Sequence, residues 1–421
     1  MLNRMKKRHL IVNKNSFYVF TIALFICSSI IKSFLADFSP RPAIVALLLL
    51  YTVLIASILL KRINSKDLIR AAVPIIVLWI LVIWTWIFYP ERHFFYHNSL
   101  YNLMDVAFPI YGAYITSICM LETKHENLLK SIRISSFIMI LYHIYQVMDP
   151  IKNGIWTRAS IYNGQIVTIK SNYNLNWGYG VYVICVIFFS LFFLDKRKID
   201  IIIPIIGLIG IFLYGSRGPI LIFAIYVILA ILLYSKRKIG KKIIALSVII
   251  IVVLFLLANG WLEAVIIAFA DKYNFSSRTI QKILGGTLTD TSGRALIYGT
   301  ILSKIRESPI IGWGIFSDRY FLNTIAQGGS AYSHNIILEM AVSFGIPGIA
   351  FFVLIVVKII NWFRSNNEIS TRVLMLIAMG SCLPLFLSLS FWSHSMFWVL
   401  LAILFNYSNK RTVNQSGEQN K

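Results

Sequence analysis

Two arginines and one histidine stand out because each occurs beside residues that build a tight turn or begin a helix. Arg217 lies in the run 215–219, where the glycines permit a tight turn and Pro219 favours the first turn of the next helix. A guanidinium held there can clamp a phosphate or diphosphate through paired hydrogen bonds. The alternative for Arg217 is a side chain that simply reaches from the membrane to water.

The second arginine, Arg294, follows Ser292-Gly293 and precedes Tyr298 by one helical turn, so both side chains share a helix face. Alone, this pattern is also typical of an ordinary surface helix. Four more basic residues of the same segment are expected to be solvated, namely Arg278, Lys282, Arg306 and Arg319.

The histidine, His334, stands directly before an apolar helix in the run 332–335. The positive end of the helix dipole disfavours a charged imidazole there, and a neutral imidazole, with an ordinary pKa of about 6.5, can accept a proton. The alternative is a capping or interface histidine. Asn335 and Glu339 lie four residues apart and share a helix face. The glycines and proline of 345–348 interrupt the helix and allow another helix or a lipid chain to approach closely.

The elements that carry these residues follow from the apolar content of the chain. Of the 421 residues, 58% are hydrophobic, which exceeds the roughly half that is usual in soluble domains. A membrane span needs about 20 mostly apolar residues. Twelve candidate spans result: 17–36, 43–60, 71–89, 100–121, 131–148, 177–194, 199–214, 219–234, 243–260, 335–357, 373–390 and 396–407. The short pair 199–214 and 219–234 can also form a re-entrant hairpin.

The basic residues predict the orientation of these spans. The formal net charge is +23, and 26 of the 40 Lys and Arg residues lie in alternate short gaps and the termini. The positive-inside rule therefore predicts cytoplasmic termini and an even number of spans. Orientation and attraction to anionic lipid explain the charge better than nucleic-acid binding does. The first span is expected to be an uncleaved anchor, and the four cysteines show no disulfide or zinc spacing.

The predicted fold is an all-α integral membrane protein with about 12 transmembrane helices and a large extracytoplasmic helical loop. We expect an N-terminal bundle of about nine helices over 1–260 and the large loop with short helices over 261–333. The C-terminal transmembrane helices and a cytoplasmic tail follow over 334–421. A second outer loop, 149–176, is rich in Asn, Tyr and Trp.

The large loop contains its own helix signals. Residues 293–306 have helical spacing, Ser308-Pro309 is expected to end that helix, and Gly312-Trp313-Gly314 is expected to turn the chain. The apolar spacing of 261–269 predicts another helix lying along the membrane surface. The loop is therefore expected to be a small helical cap on the outer face.

In their order, these motifs resemble the O-antigen ligase and Wzy-type polysaccharide polymerase superfamily. The resemblance is carried by Gly215-Ser216-Arg217-Gly218, Ser292-Gly293-Arg294, Ser308-Pro309, Gly312-Trp313-Gly314, Ser333-His334-Asn335, Leu338-Glu339 and Phe344-Gly345-Ile346-Pro347-Gly348. It is strongest over about 210–355. Tyr298 departs from the Trp that often stands there in the family, and an upstream asparagine motif is matched only loosely by Asn172, Asn174 and Asn176.

The resemblance implies a GT-C-like glycosyltransferase that moves a glycan from a polyprenyl diphosphate carrier to an acceptor hydroxyl at the outer leaflet. Arg217 and Arg294 match the positions that stabilise the leaving diphosphate, and His334 matches the proposed base. Five further residues are expected to bind substrate: Ser216, Tyr298, Asn335, Arg158 and Asn174. Neither a metal ion nor a cofactor is implied.

The leading hypothesis is a polymerase of a capsule, exopolysaccharide or similar surface polymer in a bacterial cytoplasmic membrane, with its active site on the outer face. The alternative within the superfamily is a ligase that moves finished glycan to a lipid or wall acceptor. An alternative of another class is a transporter or flippase, which should carry ionisable residues near the membrane midplane. Expected partners are the lipid-linked oligosaccharide, membrane lipid, a flippase and a chain-length regulator, but no nucleic acid.

Overall fold

In the computed structural model the protein is mainly helical, and it contains apolar helices of membrane-spanning length, as the composition predicts. The structure describes residues 14–27, 30–31, 34, 65–89, 112, 125–153, 155–162, 165–171, 174–214, 217–234, 268, 294–323 and 332–404. Four described stretches are long and apolar enough to cross a membrane: Glu126–Asn153, Leu175–Asp195, Ile336–Ser365 and Ile369–Phe386. The expected helical membrane-protein class is therefore confirmed.

Eleven α-helices are named here in chain order. They are α1 (Lys14–Ile26), α2 (Ser65–Phe88), α3 (His125–Asn153), α4 (Leu175–Asp195), α5 (Ile199–Tyr214), α6 (Arg217–Tyr234), α7 (Arg294–Glu307), α8 (Ser317–Asn323), α9 (Ile336–Ser365), α10 (Ile369–Cys382) and α11 (Ser395–Ala402). A 3-10 helix, Leu383–Phe386, follows α10.

The number of about twelve spans stays a prediction. The candidates 43–60 and 243–260 lie outside the described residues, as does 100–121 apart from Gly112. Three shorter apolar helices, Ile76–Phe88, Ile199–Tyr214 and Gly218–Tyr234, fall below the length of the four long stretches. The predicted domain boundaries and the re-entrant alternative for α5 and α6 stay predictions as well.

Helix α4 forms the centre of the bundle. It is apolar all round and largely buried, with α3, α5, α6 and α10 packed against it. The Tyr182 hydroxyl on α4 donates to the Gly380 carbonyl of α10 at 2.7 Å. A β-carbon at Gly380 would lie 2.4 Å from the Tyr226 ring of α6, so this glycine permits close packing of three helices.

The segment 149–176, which was expected to be an outer loop, contains a β-hairpin that the sequence analysis did not predict. Strand β1 (Trp156–Tyr162) pairs antiparallel with β2 (Gln165–Ser171), with Trp156 opposite Ser171. Trp156 is buried, and its indole N–H donates to the Tyr214 carbonyl at 3.0 Å. Trp156 therefore anchors the end of α5, directly before residues 215–219 in the sequence.

The glycine-rich kink of α9 receives the 309–314 turn. Gly345 departs from helical geometry with φ 60° and ψ −139°, and the Trp313 amide donates to the Val342 carbonyl at 2.8 Å. A β-carbon at Gly312 would lie 2.6 Å from the Gly345 nitrogen. Another helix or a lipid chain was expected to approach 345–348, and the segment that approaches is this turn instead.

The described part of the large loop is helical. Helix α7 ends at Glu307, as Ser308-Pro309 predicts, and α8 follows the turn. Side chains of Ile301, Leu322 and Val342 form a small apolar core that joins α7 and α8 to α9. The predicted surface helix 261–269 lies outside the described residues, apart from Ala268.

Candidate active site

The segment 332–335 forms the link that presents His334. Asn335 caps α9 because its side-chain oxygen accepts from the amides of Ile337 at 2.9 Å and Leu338 at 3.2 Å. The Asn335 amide group donates to the Phe386 carbonyl at 3.1 Å. His334 precedes this cap with φ 53°, a left-handed conformation that costs a non-glycine residue about 1–3 kcal/mol. The surrounding contacts hold the histidine in this unfavourable conformation.

The hydrogen bond of His334 fixes which ring nitrogen can act as a base. Its Nδ1 lies 3.0 Å from the Ser388 carbonyl oxygen. Because a carbonyl can only accept, Nδ1 carries the proton and Nε2 keeps a free electron pair. The Tyr332 hydroxyl donates to the same carbonyl at 2.5 Å, and the Tyr332 and His334 ring centroids are 4.1 Å apart.

The environment of His334 lowers its pKa below 6.5. Burial is the largest cause, and the positive charges of Arg294 and Arg319 act in the same direction. The hydrogen bond to Ser388 and the negative charge of Asp318 oppose the change. The neutral imidazole was expected from the helix dipole, but burial contributes most.

Arg294 reaches the same point from α7. It is the first residue of that helix, and its Nη2 donates to the Ser388 hydroxyl at 3.1 Å. Ser388 therefore binds Arg294 through its side chain and His334 through its main chain. Tyr298 is half buried one turn further along α7.

The start of α6, which Arg217 begins, adjoins this cluster through Tyr179. A β-carbon at Gly218 would lie 2.7 Å from the Tyr179 hydroxyl. Ser388 and Arg294 lie near that hydroxyl, which forms no hydrogen bond with the described residues. The main chain at the start of α6 therefore lies one side chain away from Ser388. Ser216 and the side chain of Arg217 lie outside the described residues.

Two other predicted substrate-binding residues lie on the hairpin side of the bundle. Arg158 is in β1 opposite Ile169, and its side chain is outside the described part of the structure. The Asn174 side chain caps α4 by accepting from the Trp177 amide at 3.1 Å. Their roles in binding stay predictions.

A buried ionic network contacts the segment 332–335 that carries His334. The Arg319 guanidinium donates to Asp318 at 2.9 Å and to Glu339 at 3.0 Å, and all three side chains are at most 7% exposed. The expectation that Arg319 is solvated was therefore wrong, whereas Arg306 is exposed as expected. Burial is possible because the cation lies between two carboxylates.

This network fixes the two segments that form the site. Asp318 accepts from both the amide and the hydroxyl of Ser333 at 2.9 Å, directly before His334. Glu339 accepts from the Ser390 hydroxyl at 2.5 Å, two residues after Ser388. The network therefore ties the histidine to the carbonyl that orients it.

Ser388 was missed because it lies in an apolar run that we assigned to the span 373–390. Helix α10 ends at Cys382 instead, and Pro384 lies in the 3-10 helix that follows. The amides of residues 387–389 all donate to the Pro384 carbonyl. This turn exposes the Ser388 carbonyl to the histidine. The signal available in the sequence was the pair Ser388 and Ser390, which follows Pro384 by four and six residues.

The described cluster combines a neutral base with a nearby cation. Nε2 of His334 can accept a proton from a hydroxyl. Arg294 can stabilise negative charge that develops close by, and its planar guanidinium suits phosphate oxygens. These are the requirements for a transfer from a phosphate leaving group to an alcohol.

Residues 202–353 match the model of the Wzy_C family, which is described as O-antigen ligase. The expected resemblance to the O-antigen ligase superfamily is thereby confirmed over this segment. No curated protein matches the chain. The O-antigen ligase segment contains Arg217, Arg294 and His334, whereas Ser388 lies beyond its end. Ser388, which contacts both His334 and Arg294, therefore lies outside the matched segment.

Proposed function

We propose that this protein of the O-antigen ligase and polymerase type is the polymerase of a cell-surface polysaccharide. It would transfer a growing glycan from a polyprenyl diphosphate carrier to a hydroxyl of the next lipid-linked repeat unit. The observation that carries this proposal is the meeting of His334 and Arg294 at Ser388. The family match supports the same reaction type.

In the proposed reaction, His334 acts as the general base. Its Nε2 accepts the proton of the acceptor hydroxyl while the hydroxyl oxygen forms a bond to the anomeric carbon of the donor sugar. The bond from that carbon to the diphosphate oxygen breaks, and its electron pair leaves with the polyprenyl diphosphate. The Ser388 carbonyl holds the imidazole in the tautomer that this step requires.

Arg294 and Arg217 would stabilise the leaving diphosphate. Negative charge grows on the diphosphate as the bond breaks, so a cation fixed beforehand favours the transition state over the bound substrate. The arginines supply the charge that a metal ion supplies in other transferases, and we propose a metal-independent reaction without a cofactor. Ser216, Tyr298, Asn335, Arg158 and Asn174 remain our candidates for contacts with the glycan.

The proposed location is a bacterial cytoplasmic membrane with both termini in the cytoplasm and the site on the outer face. The distribution of Lys and Arg supports this orientation. A flippase that delivers the lipid-linked unit and a regulator of chain length would be its partners.

Among the described residues, the positions of Glu339 and Arg372 argue against a transporter. Glu339 and Arg372 are both buried, and each lies in the first turn of its helix rather than near the middle. A transporter that binds its substrate at the midplane would need such groups deeper in the membrane. A ligase of finished glycan would use the same site as a polymerase and differ only in the acceptor.

Deletion of the gene tests the proposal through the glycans that accumulate. A polymerase deletion should leave glycans of one repeat unit, and His334→Gln or Arg217→Lys should fail to restore long chains. The lysine variant keeps the charge but loses the paired hydrogen bonds of the guanidinium. Arg306→Lys, on an exposed face of α7, should restore them. Long polymer left on the carrier would identify a ligase, and unpolymerised units held on the cytoplasmic side would identify a flippase.

A further inference from the structure

An apolar cavity lies between α6, α9, α10 and α11. Its volume is about 540 Å³, which is within the usual range for small-molecule sites. The walls are almost entirely apolar and include Leu233, Phe352, Ile359, Met379 and Phe397. It approaches the candidate active site at Ile336 and at Phe386, whose carbonyl accepts from Asn335.

The two ends of this cavity differ in charge. Along α9, the wall from Phe352 to Arg364 is about 18 Å long, at 1.5 Å per residue. Arg364, which is exposed, and Arg372, which is buried, line the end that the positive-inside rule assigns to the cytoplasm. Leu383 and Phe386 line the opposite end. The cavity is therefore an apolar channel with a cationic mouth.

The Nε–H of Arg372, at this mouth, donates no hydrogen bond to the described residues. The residue is only 6% exposed, its Nη1 donates to the Asn366 carbonyl at 3.3 Å, and its Nη2 donates to the Leu233 carbonyl. Its buried Nε has no hydrogen-bond partner among the described residues. The neighbouring carboxylate, Glu368, accepts from the Thr371 hydroxyl at 3.0 Å. A buried guanidinium with neutral partners is costly unless an anion joins it.

We propose that this cavity binds an anionic glycerophospholipid of the cytoplasmic leaflet. Its phosphate would lie between Arg364 and Arg372 and accept from Nε, and one acyl chain would fill the apolar channel. Cytoplasmic leaflets are rich in anionic lipid, which matches the charge of the mouth. A polyprenyl tail entering from the active-site end would instead place an apolar terminus against the Arg372 guanidinium. This inference does not depend on the proposed transferase activity.

Lipid binding to the purified, delipidated full-length protein tests this inference. We expect phosphatidylglycerol to bind at least about tenfold more tightly than phosphatidylcholine, measured by native mass spectrometry. Loss of a charge-assisted hydrogen bond should weaken phosphatidylglycerol binding about tenfold or more in Arg372→Gln. Arg197→Gln is the matched control, because that arginine is 62% exposed and lies outside the cavity.

A second variant keeps the test valid if Arg372→Gln fails to fold. Val356 lines the cavity and is 38% exposed, so Val356→Trp should fill the channel without disturbing the buried core. It should weaken phosphatidylglycerol binding while Arg372 remains intact. Equal binding of the two lipids to the wild type, or unchanged binding in Val356→Trp, would overturn the inference. Displacement of phosphatidylglycerol by an equal amount of polyprenyl phosphate would overturn it as well.

Discussion

Replacement of Arg319 by methionine removes the cation from the buried network. Methionine replaces the unbranched aliphatic part of the arginine side chain and carries no charge, so the change leaves Asp318 and Glu339 as neighbouring buried carboxylates. In the native protein the three side chains carry a formal charge of −1, and the Arg319→Met variant changes it to −2. The Ser390 hydroxyl also loses the Arg319 Nη2 donor at 2.6 Å.

The expected loss of unfolding free energy is about 3–5 kcal/mol, which is usual when one partner of a buried ion pair is removed. Glu339→Gln should cost less, about 1–2 kcal/mol, because it removes the surplus negative charge and keeps an oxygen that can accept from Arg319. Comparison of the two losses of unfolding free energy therefore tests whether the charge balance or the number of contacts contributes more to the stability of the network.

The assay is unfolding by dodecyl sulfate in mixed micelles, followed by tryptophan fluorescence of the 10 Trp residues. Arg306→Met is the matched control, since that arginine is exposed and its replacement should change the free energy by no more than about 0.5 kcal/mol. A loss below about 1 kcal/mol in Arg319→Met would refute the reasoning, as would a larger loss in Glu339→Gln.

Three further predictions concern the kink, the base and the cap. Gly345→Ala should destabilise the protein by about 1–3 kcal/mol, because the new β-carbon would lie 2.5 Å from the Ile310 carbonyl oxygen at a positive φ. Gly299→Ala, with open space around it, should be neutral or stabilising in the same dodecyl sulfate unfolding assay. The transfer rate should fall with decreasing pH through the lowered pKa of His334, since protonation removes the base, and a pH–rate profile unchanged in its acid limb by His334→Gln would contradict this. Asn335→Ala should cost about 1 kcal/mol through loss of the cap, and Asn335→Asp should recover part of it.

Local sequence signals predicted the elements whose boundaries are set by local chemistry. Helix α5 occupies the predicted 199–214, because a basic segment precedes its apolar run and the residues Gly215-Ser216 follow it in the sequence. The end of α7 at Ser308-Pro309 and the kink at Gly345 follow from the backbone restrictions of proline and glycine. A lowered pKa of His334 was also predicted, although from the helix dipole rather than from burial, which is its largest cause.

The sequence could not predict features that depend on distant partners. Arg319 and Glu339 are 20 residues apart, and Ser390 is another 51 residues away. No local pattern shows that a loop arginine will be buried between carboxylates. The hairpin was missed because it is held together by pairs between 156–162 and 165–171, which the helical spacing of apolar residues does not show. Ser388 was missed because apolar periodicity does not show where a helix gives way to a turn.

Release of polyprenyl diphosphate from a purified lipid-linked repeat unit tests the central claim most directly. We expect the wild-type protein in nanodiscs to release the carrier and extend the glycan. His334→Gln should bind the donor normally but turn over about 10²–10⁴-fold more slowly, because a general base contributes that factor. Equal turnover by the wild type and a correctly folded His334→Gln variant would contradict the assignment of this imidazole as the base.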